Sequence, residues 1–259
     1  MDLGIAGRKA IVCASSRGLG RACAEALAQA GCEVVVNGLN QATVDAAVAD
    51  LRQRTGATIT GVVADVADRA GQEALLAACP EPDILVNNNA GPPFGDFRQL
   101  SRQQMIDGVI ANMVVAVELT QRVIDPMVRR RFGRIVNITS GTVRMPQAGL
   151  DLSSGARAGL TAFLAGVARS VAASNVTINF LLPGAFETDR LRGAIQGNAN
   201  KQGVSYEAAA QQRINTIPAR RFGDARELGA ACAFLCSAQA GFITGQNLLI
   251  DGGAFPGTF

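Results

Sequence analysis

Apolar and polar positions along this chain recur with two alternating periods. Short aliphatic and β-branched runs separate longer stretches in which apolar residues return every third or fourth position. The first run, residues 10–14 (Ala-Ile-Val-Cys-Ala), leads into strong helix formers over 21–30. The same alternation predicts strands over 32–36, 58–64, 83–86, 133–139, 176–181 and 247–250. It predicts helices over 42–54, 69–79, 101–125, 153–173 and 225–237. In the helix over 153–173, Leu160, Phe163, Leu164, Val167 and Val171 share one face. Residues 185–221 are more polar, contain Gly193, Gly197 and Gly203, and lack a sustained apolar period. They are expected to form a mobile lid. Strands alternating with helices imply a parallel sheet covered on both faces. Right-handed crossovers make this a doubly wound α/β fold, with its ligand site at the carboxyl ends of the strands.

Composition sharpens this reading. The 259 residues form no linker, repeat or charge block, so one domain spanning 1–259 is expected. Hydrophobic residues make up 48% and charged ones 17%, as in a globular domain and unlike a disordered chain. Net charge is +3, and only Arg129-Arg130-Arg131 concentrates it, which reads as a solvated helix end. With no Trp and one Tyr, aromatic stacking platforms are scarce, and no nucleic-acid partner is expected. Met-Asp-Leu-Gly lacks a signal-peptide pattern, and no apolar run is long enough to span a bilayer. The six cysteines form no CxxC pair, and Cys232 and Cys236 stand at a helical spacing that suits a core. No histidine occurs, which removes histidine bases and argues against a metal site. A reduced, cytoplasmic protein is expected.

Between the first strand and helix lies Ala14-Ser15-Ser16-Arg17-Gly18-Leu19-Gly20. Glycines in a strand–turn–helix context let backbone approach a pyrophosphate, while the helix N-terminus presents free N–H groups and a positive dipole end. Asp65-Val66 closes the third strand, and Asn87-Asn88-Asn89-Ala90-Gly91 follows the fourth. Pro183-Gly184 and Thr188 follow the sixth.

These motifs resemble those of a classical short-chain dehydrogenase/reductase of the 3-oxoacyl-acyl-carrier-protein reductase type, over nearly the whole chain. The resemblance implies a single Rossmann-like domain that binds NAD(P)(H) and acts on a small carbonyl or alcohol. Residues 14–20 match the family's Gly-x-x-x-Gly-x-Gly with Ala14 in place of the first glycine, a methyl that fits if φ there stays negative. The implied cofactor contacts are Ala14, Ser16, Arg17, Gly18, Leu19, Gly20, Asn37, Asp65, Val66, Asn89, Ala90, Gly91, Arg157 (to the nicotinamide ribose), Pro183, Gly184 and Thr188. Asn87 adds a third asparagine, either an inserted residue or a shift of register. Asn37 stands at the end of the second strand, where NAD-specific members carry an acid. Nothing there repels a 2′-phosphate and Arg17 can donate to one, so NADP(H) is expected over NAD(H), although Leu39 stands where a second arginine is common.

The resemblance also implies a catalytic set of Asn, Ser and Tyr-x-x-x-Lys. Asn112 fits the first and Ser140 the second, although Asn112 inside an apolar helix has an equally good structural reading. Arg157 stands at the lysine position, and Ser153 at the tyrosine position. A serine hydroxyl is a far weaker acid than a phenol and reaches less far, and arginine keeps its proton. A water held by Ser153 could relay a proton. Asp151 and Tyr206, the sole tyrosine, are substitute acids, each with a blander reading as an exposed loop residue or a packing contact. Three functions compete: a reductase with an atypical acid, a non-catalytic dinucleotide-binding sensor or partner of an active homologue, and a lyase or dehydratase using the same pocket. Arg190, Arg192, Lys201 and Arg213 on the lid point to an anionic substrate. Small and apolar residues on two helices (Ala111, Val114, Val115, Val117; Ala156, Gly159, Phe163, Gly166) and the family's habit point to a homotetramer.

Overall fold

The computed structural model describes residues 2–92 and 94–258. Seven short apolar segments become strands: β1 (Lys9–Val12), β2 (Glu33–Gly38), β3 (Ile59–Val63), β4 (Ile84–Asn87), β5 (Gly133–Ile138), β6 (Val176–Pro183) and β7 (Asn247–Ile250). They form one parallel sheet in the order β3-β2-β1-β4-β5-β6-β7. Nine α-helices connect them: α1 (Gly18–Gln29), α2 (Gln41–Thr55), α3 (Arg69–Ala78), α4 (Arg102–Val109), α5 (Val115–Arg130), α6 (Asp151–Val171), α7 (Asp189–Gln202), α8 (Tyr206–Asn215) and α9 (Ala225–Cys236) among the described residues.

The period of two along each strand sorts the core into two layers. Ala10, Val12, Val34, Val36, Ile84 and Val86 face α1, α2 and α9. Ile11, Val35, Leu85, Ile135 and Ile178 face α3, α5 and α6. Both layers are buried, so the strands read as continuous apolar runs. Strand order reverses between β1 and β4, which opens a crevice at their carboxyl ends.

Several expectations change. The turn claims Cys13 and Ala14, so β1 ends at Val12, and α1 starts at Gly18. The helix expected over 101–125 is α4, a π-turn over Ile110–Val114, and α5, which runs on to Arg130. Asp151 opens α6 instead of lying in a loop, and its carboxylate accepts the Gly149 N–H at 2.9 Å. Residues 185–221 are more regular than their polarity suggests. Thr188 and Ser205 cap α7 and α8, and Ile195, Ala199 and Ala209 form a small core between them. Phe163 is half exposed, unlike Leu160 and Leu164. Arg130 is not merely solvated: it bonds Glu81 at 3.0 Å and the Pro82 carbonyl at 2.9 Å. All six cysteines are buried and unbridged. No helix among the described residues is long and apolar enough to cross a membrane, and no described cluster could hold a metal ion.

Candidate active site

The glycine turn is held from outside its own sequence. Ala14 has φ of +44°, which overturns the expectation of a negative angle. Its Cβ therefore sits in the left-handed region that disfavours L-residues. Two distant side chains fix that conformation. Asn37 Oδ1 accepts the Ala14 N–H at 3.0 Å, and Asn88 Nδ2 donates to the Ala14 carbonyl at 3.2 Å. Ser15 Oγ donates to Val12 O at 2.6 Å and accepts the Asn37 N–H at 3.0 Å. Gly20 is required by space, since a Cβ there would lie 2.5 Å from the Ala14 carbonyl oxygen. Gly18 has φ of +61° and faces open space. Arg17 precedes α1 in extended conformation without capping it by its side chain, and the first turn holds no acid. The N–H groups at this end are thus available to an anion.

Asn37 is turned inward. Its Nδ2 donates to Val62 O at 3.2 Å and Ala64 O at 2.9 Å, so its amide braces β3 and the turn. Beyond it the rim offers Gly38 and the exposed Leu39. Arg17 is exposed and in no ion pair among the described residues. Asp65 is exposed, its carboxylate accepting the Ala67 N–H at 2.9 Å, and Val66 is buried in the core.

The three asparagines divide their work. Asn87 ends β4 opposite Asn137 and donates to its Oδ1 at 2.9 Å. Asn137 donates in turn to Asn179 O at 3.3 Å, and Asn179 Nδ2 to Ile243 O at 2.8 Å. Asn88 reaches the glycine turn, and Asn89 donates to Ala111 O at 3.2 Å. Asn88 is therefore the residue beside the glycine turn, and Asn87 belongs to the sheet. This asparagine ladder across β4, β5 and β6 escaped the sequence reading. Its members lie far apart in the chain and only the strand register aligns them.

Asn112 sits in the π-turn, 4% exposed, with Nδ2 on the Gly108 carbonyl at 3.3 Å. Its Oδ1 has no partner, nor has Oδ1 of Asn87. Both residues line a cavity of about 20 Å³ that Arg157 also borders. Arg157 is buried. Its Nη1 donates to Ile138 O at 2.9 Å and Thr139 O at 3.0 Å, and its Nε to Ser153 Oγ at 3.2 Å. Burial, with a smaller contribution from nearby Arg190, lowers the Arg157 guanidinium to about 10, which leaves it protonated at neutral pH. Ser140 lies two residues beyond the end of β5, and its Oγ accepts from Thr142 N at 3.1 Å and Thr142 Oγ1 at 3.0 Å. The structure thus gathers Asn112, Ser140, Ser153 and Arg157 around the carboxyl end of β5. Tyr206 instead packs into the small core of α7 and α8.

The chain matches the family model described as Enoyl-(Acyl carrier protein) reductase over residues 13–254. It is 31% identical over 257 residues to the 3-oxoacyl-acyl-carrier-protein reductase FabG of Vibrio harveyi, covering 98% of this chain and 99% of that protein. The chain belongs to the short-chain dehydrogenase/reductase family. Another relative, the NADPH-dependent reductase BacG of Bacillus subtilis, is 30% identical over 95% of this chain and 97% of its own. The L-sorbose reductase of Gluconobacter frateurii, solved with NADPH and L-sorbose, superposes with a TM-score of 0.93 at 26% identity over the full length of both chains.

In this short-chain dehydrogenase/reductase the remaining predicted residues close the crevice from the far side. Gly184 donates to Ile250 O at 2.9 Å, and a Cβ on it would lie 2.7 Å from Asp251 Cβ. Thr188 Oγ1 accepts the Leu191 N–H at 3.3 Å and starts α7. One residue that the sequence reading left among several lid cations stands out. Arg190 reaches back across the crevice to the carbonyls of Gly91 and Pro92, both at 3.3 Å.

Proposed function

We propose that this chain is an NADP(H)-dependent oxidoreductase interconverting a small carbonyl compound and its alcohol, with Ser153 and Arg157 standing where the family carries tyrosine and lysine. The observation that carries this reading is the uncapped N-terminus of α1 behind a turn braced by Asn37 and Asn88, with Arg157 and Ser140 on the neighbouring strand end. A pyrophosphate fits that helix end by charge and by open N–H groups. Ala14, Ser16, Gly18, Leu19, Gly20, Asp65, Val66, Asn89, Ala90, Gly91, Pro183, Gly184 and Thr188 would line the dinucleotide. Arg17 would take the 2′-phosphate. BacG is named as NADPH-dependent and the sorbose reductase was solved with NADPH, which supports the same preference here.

A nicotinamide held there would supply hydride to the carbonyl carbon, or take it from the alcohol in the reverse direction. Ser140 Oγ accepts two hydrogen bonds, so its own proton is free to orient a carbonyl oxygen. Arg157 keeps a positive charge near that oxygen and stabilises developing alkoxide. Neither serine is acidic enough to act as a phenol does, so a water held by Ser153, or the exposed Asp151, would deliver the proton. Loss of a positioned general acid costs roughly 10²–10⁴-fold in rate. A second reading, dinucleotide binding without turnover, is favoured by the engagement of Arg157 Nε and Nη1 with Ser153 and the β5 carbonyls. The 185–221 segment acts as the substrate lid, the protein works as a homotetramer, and its unbridged cysteines suit the cytoplasm.

The test is consumption of NADPH followed at 340 nm with a panel of ketones, aldehydes and keto acids, alongside fluorescence titration of NADPH and NADH. Turnover supports the oxidoreductase. Tight NADPH binding with no turnover supports the binding protein. Loss of substrate without change at 340 nm supports a lyase or dehydratase. NADH binding as tight as NADPH defeats the cofactor preference.

A further inference from the structure

Two guanidinium groups border the crevice with no carboxylate paired to them among the described residues. Arg157 comes from beneath, with its polar contacts made only to Ser153 Oγ and to the Ile138 and Thr139 carbonyls among the described residues. Arg190 comes from above, on the first turn of α7, with its guanidinium on two backbone carbonyls. The strand order puts these two anchor points side by side, since β4 leads into residues 88–92 and its neighbour β5 ends at Ile138. The acids of the same turn of chain are engaged elsewhere: Asp189 lies 2.7 Å and Glu187 3.8 Å from Arg192. Asp151 is exposed and holds the Gly149 N–H. The two cations also feel each other, because Arg190 depresses the protonation of Arg157. Gly91 leaves the space that the Arg190 guanidinium fills: a Cβ there would lie 2.8 Å from its Nη2. A carbonyl oxygen of a peptide is a weaker acceptor for guanidinium than a carboxylate, and a planar fork suits bidentate carboxylate binding. An anion entering the crevice would therefore displace Arg190 from Gly91 and Pro92 and gain a stronger bond.

We infer that Arg190, with the charge of Arg157 behind it, is the recognition element for a carboxylate on the substrate, so that the preferred substrates are carbonyl compounds carrying an acid group. This rests on the oxidoreductase reading and narrows its substrate class to keto acids. The alternative source of negative charge is the cofactor's own pyrophosphate, and the experiment separates the two.

Two acid–ester pairs serve as probes, pyruvate with methyl pyruvate and acetoacetate with methyl acetoacetate. Binding to the NADP⁺-loaded protein is followed by ligand-observed NMR, and turnover with NADPH by absorbance. The acids should bind at least about tenfold tighter than their esters, with an advantage that shrinks as salt rises. Arg190→Gln should lower the acid-to-ester ratio at least about tenfold while the NADPH dissociation constant stays within about threefold. Arg192→Gln, whose guanidinium is already paired, should leave that ratio unchanged. Acid-selective binding that depends on Arg190, without turnover, keeps this inference and defeats the oxidoreductase reading. Turnover with no acid preference keeps that reading and overturns the inference. A tenfold or greater loss of NADPH affinity in Arg190→Gln, with acid and ester alike, assigns Arg190 to the cofactor and also overturns it.

Discussion

Ala14 holds a left-handed backbone angle of +44° because Asn37 and Asn88 grip its N–H and its carbonyl. A methyl in that region costs about 1–2 kcal/mol, and glycine gives back about 0.4–1 kcal/mol through its freer unfolded chain. Ala14→Gly should therefore stabilise the protein by about 0.5–1 kcal/mol in urea denaturation, and a lower midpoint would show that the strain is absent. The alanine is visible in the sequence, but the sign of φ is not, since it is set by residues 23 and 74 positions away. The same limit hid the inward turn of Asn37 and the role of Asn87. Ser153 and Arg157 were legible as a pair through the family resemblance, helical spacing put them on one face, and Arg157 Nε does meet Ser153 Oγ at 3.2 Å. Replacing Ser153 by Tyr and Arg157 by Lys together should raise carbonyl reduction at least about tenfold, a modest share of what a general acid contributes. Neither single change should do as much, because acid and cation act as a unit. Equal rates for the double variant and the unchanged protein would mean that another group already supplies the proton.

Elements were legible where one period dominates. The strands are short continuous apolar runs, and their alternate residues went to opposite layers as a two-sided sheet requires. The π-turn at Ile110–Val114 was not legible, since nothing in local propensity distinguishes it from α-helix. Helices α7 and α8 had a signal that polarity masked: Leu191, Ile195 and Ala199 recur every fourth residue behind a capping threonine. Their core is small, so the pair should open locally more readily than α6. Hydrogen exchange should be faster over α7 and α8 than over α6 in the free protein and should slow on NADP⁺ binding. Protection of α7 equal to that of α6 without cofactor would remove the lid role. Elsewhere α1, which carries the glycine turn, leans on α9 through Gly229, where a Cβ would lie 2.4 Å from the Ala22 carbonyl oxygen. Both partners there are backbone, so Gly229→Ala should cost about 1–3 kcal/mol as overpacking. A thermal midpoint unchanged from the parent would show that the two helices can separate without strain.

At the scale of the whole molecule the doubly wound fold followed from the order of strands and helices, whereas the surfaces it leaves uncovered needed the structure. Val115 and Ala156, expected at a helix pair between subunits, are buried within the chain, and Gly159 meets Met113 Sδ, 3.1 Å from where its Cβ would be. Phe163, expected at the same contact, does stay half exposed, and besides scattered residues such as Leu39, Phe94 and Phe97 the exposed apolar side chains include two patches. Met105, Ile106, Val109 and Ile110 on α4 and the following π-turn are exposed, as is Phe163 on α6, a helix that packs against α4. The second patch lies by the edge strand β7, with Leu248, Phe234 on α9 and the fully exposed Phe242. The α5–α6 layer and the α1–α9 layer cover opposite faces of the sheet, so one two-fold contact cannot cover both patches. Closed symmetry with two kinds of two-fold interface gives a tetramer. Light scattering should return four times the 26.8 kDa chain mass. Burying a phenylalanine at an interface contributes about 1.5–3 kcal/mol per copy, and each two-fold contact holds it twice. Phe163→Asp and Phe242→Asp should therefore each yield dimers through the remaining interface, and the double variant monomers. A monomeric parent protein at micromolar concentration would refute the assembly, and a dimer indifferent to one of the two substitutions would show which patch has no partner.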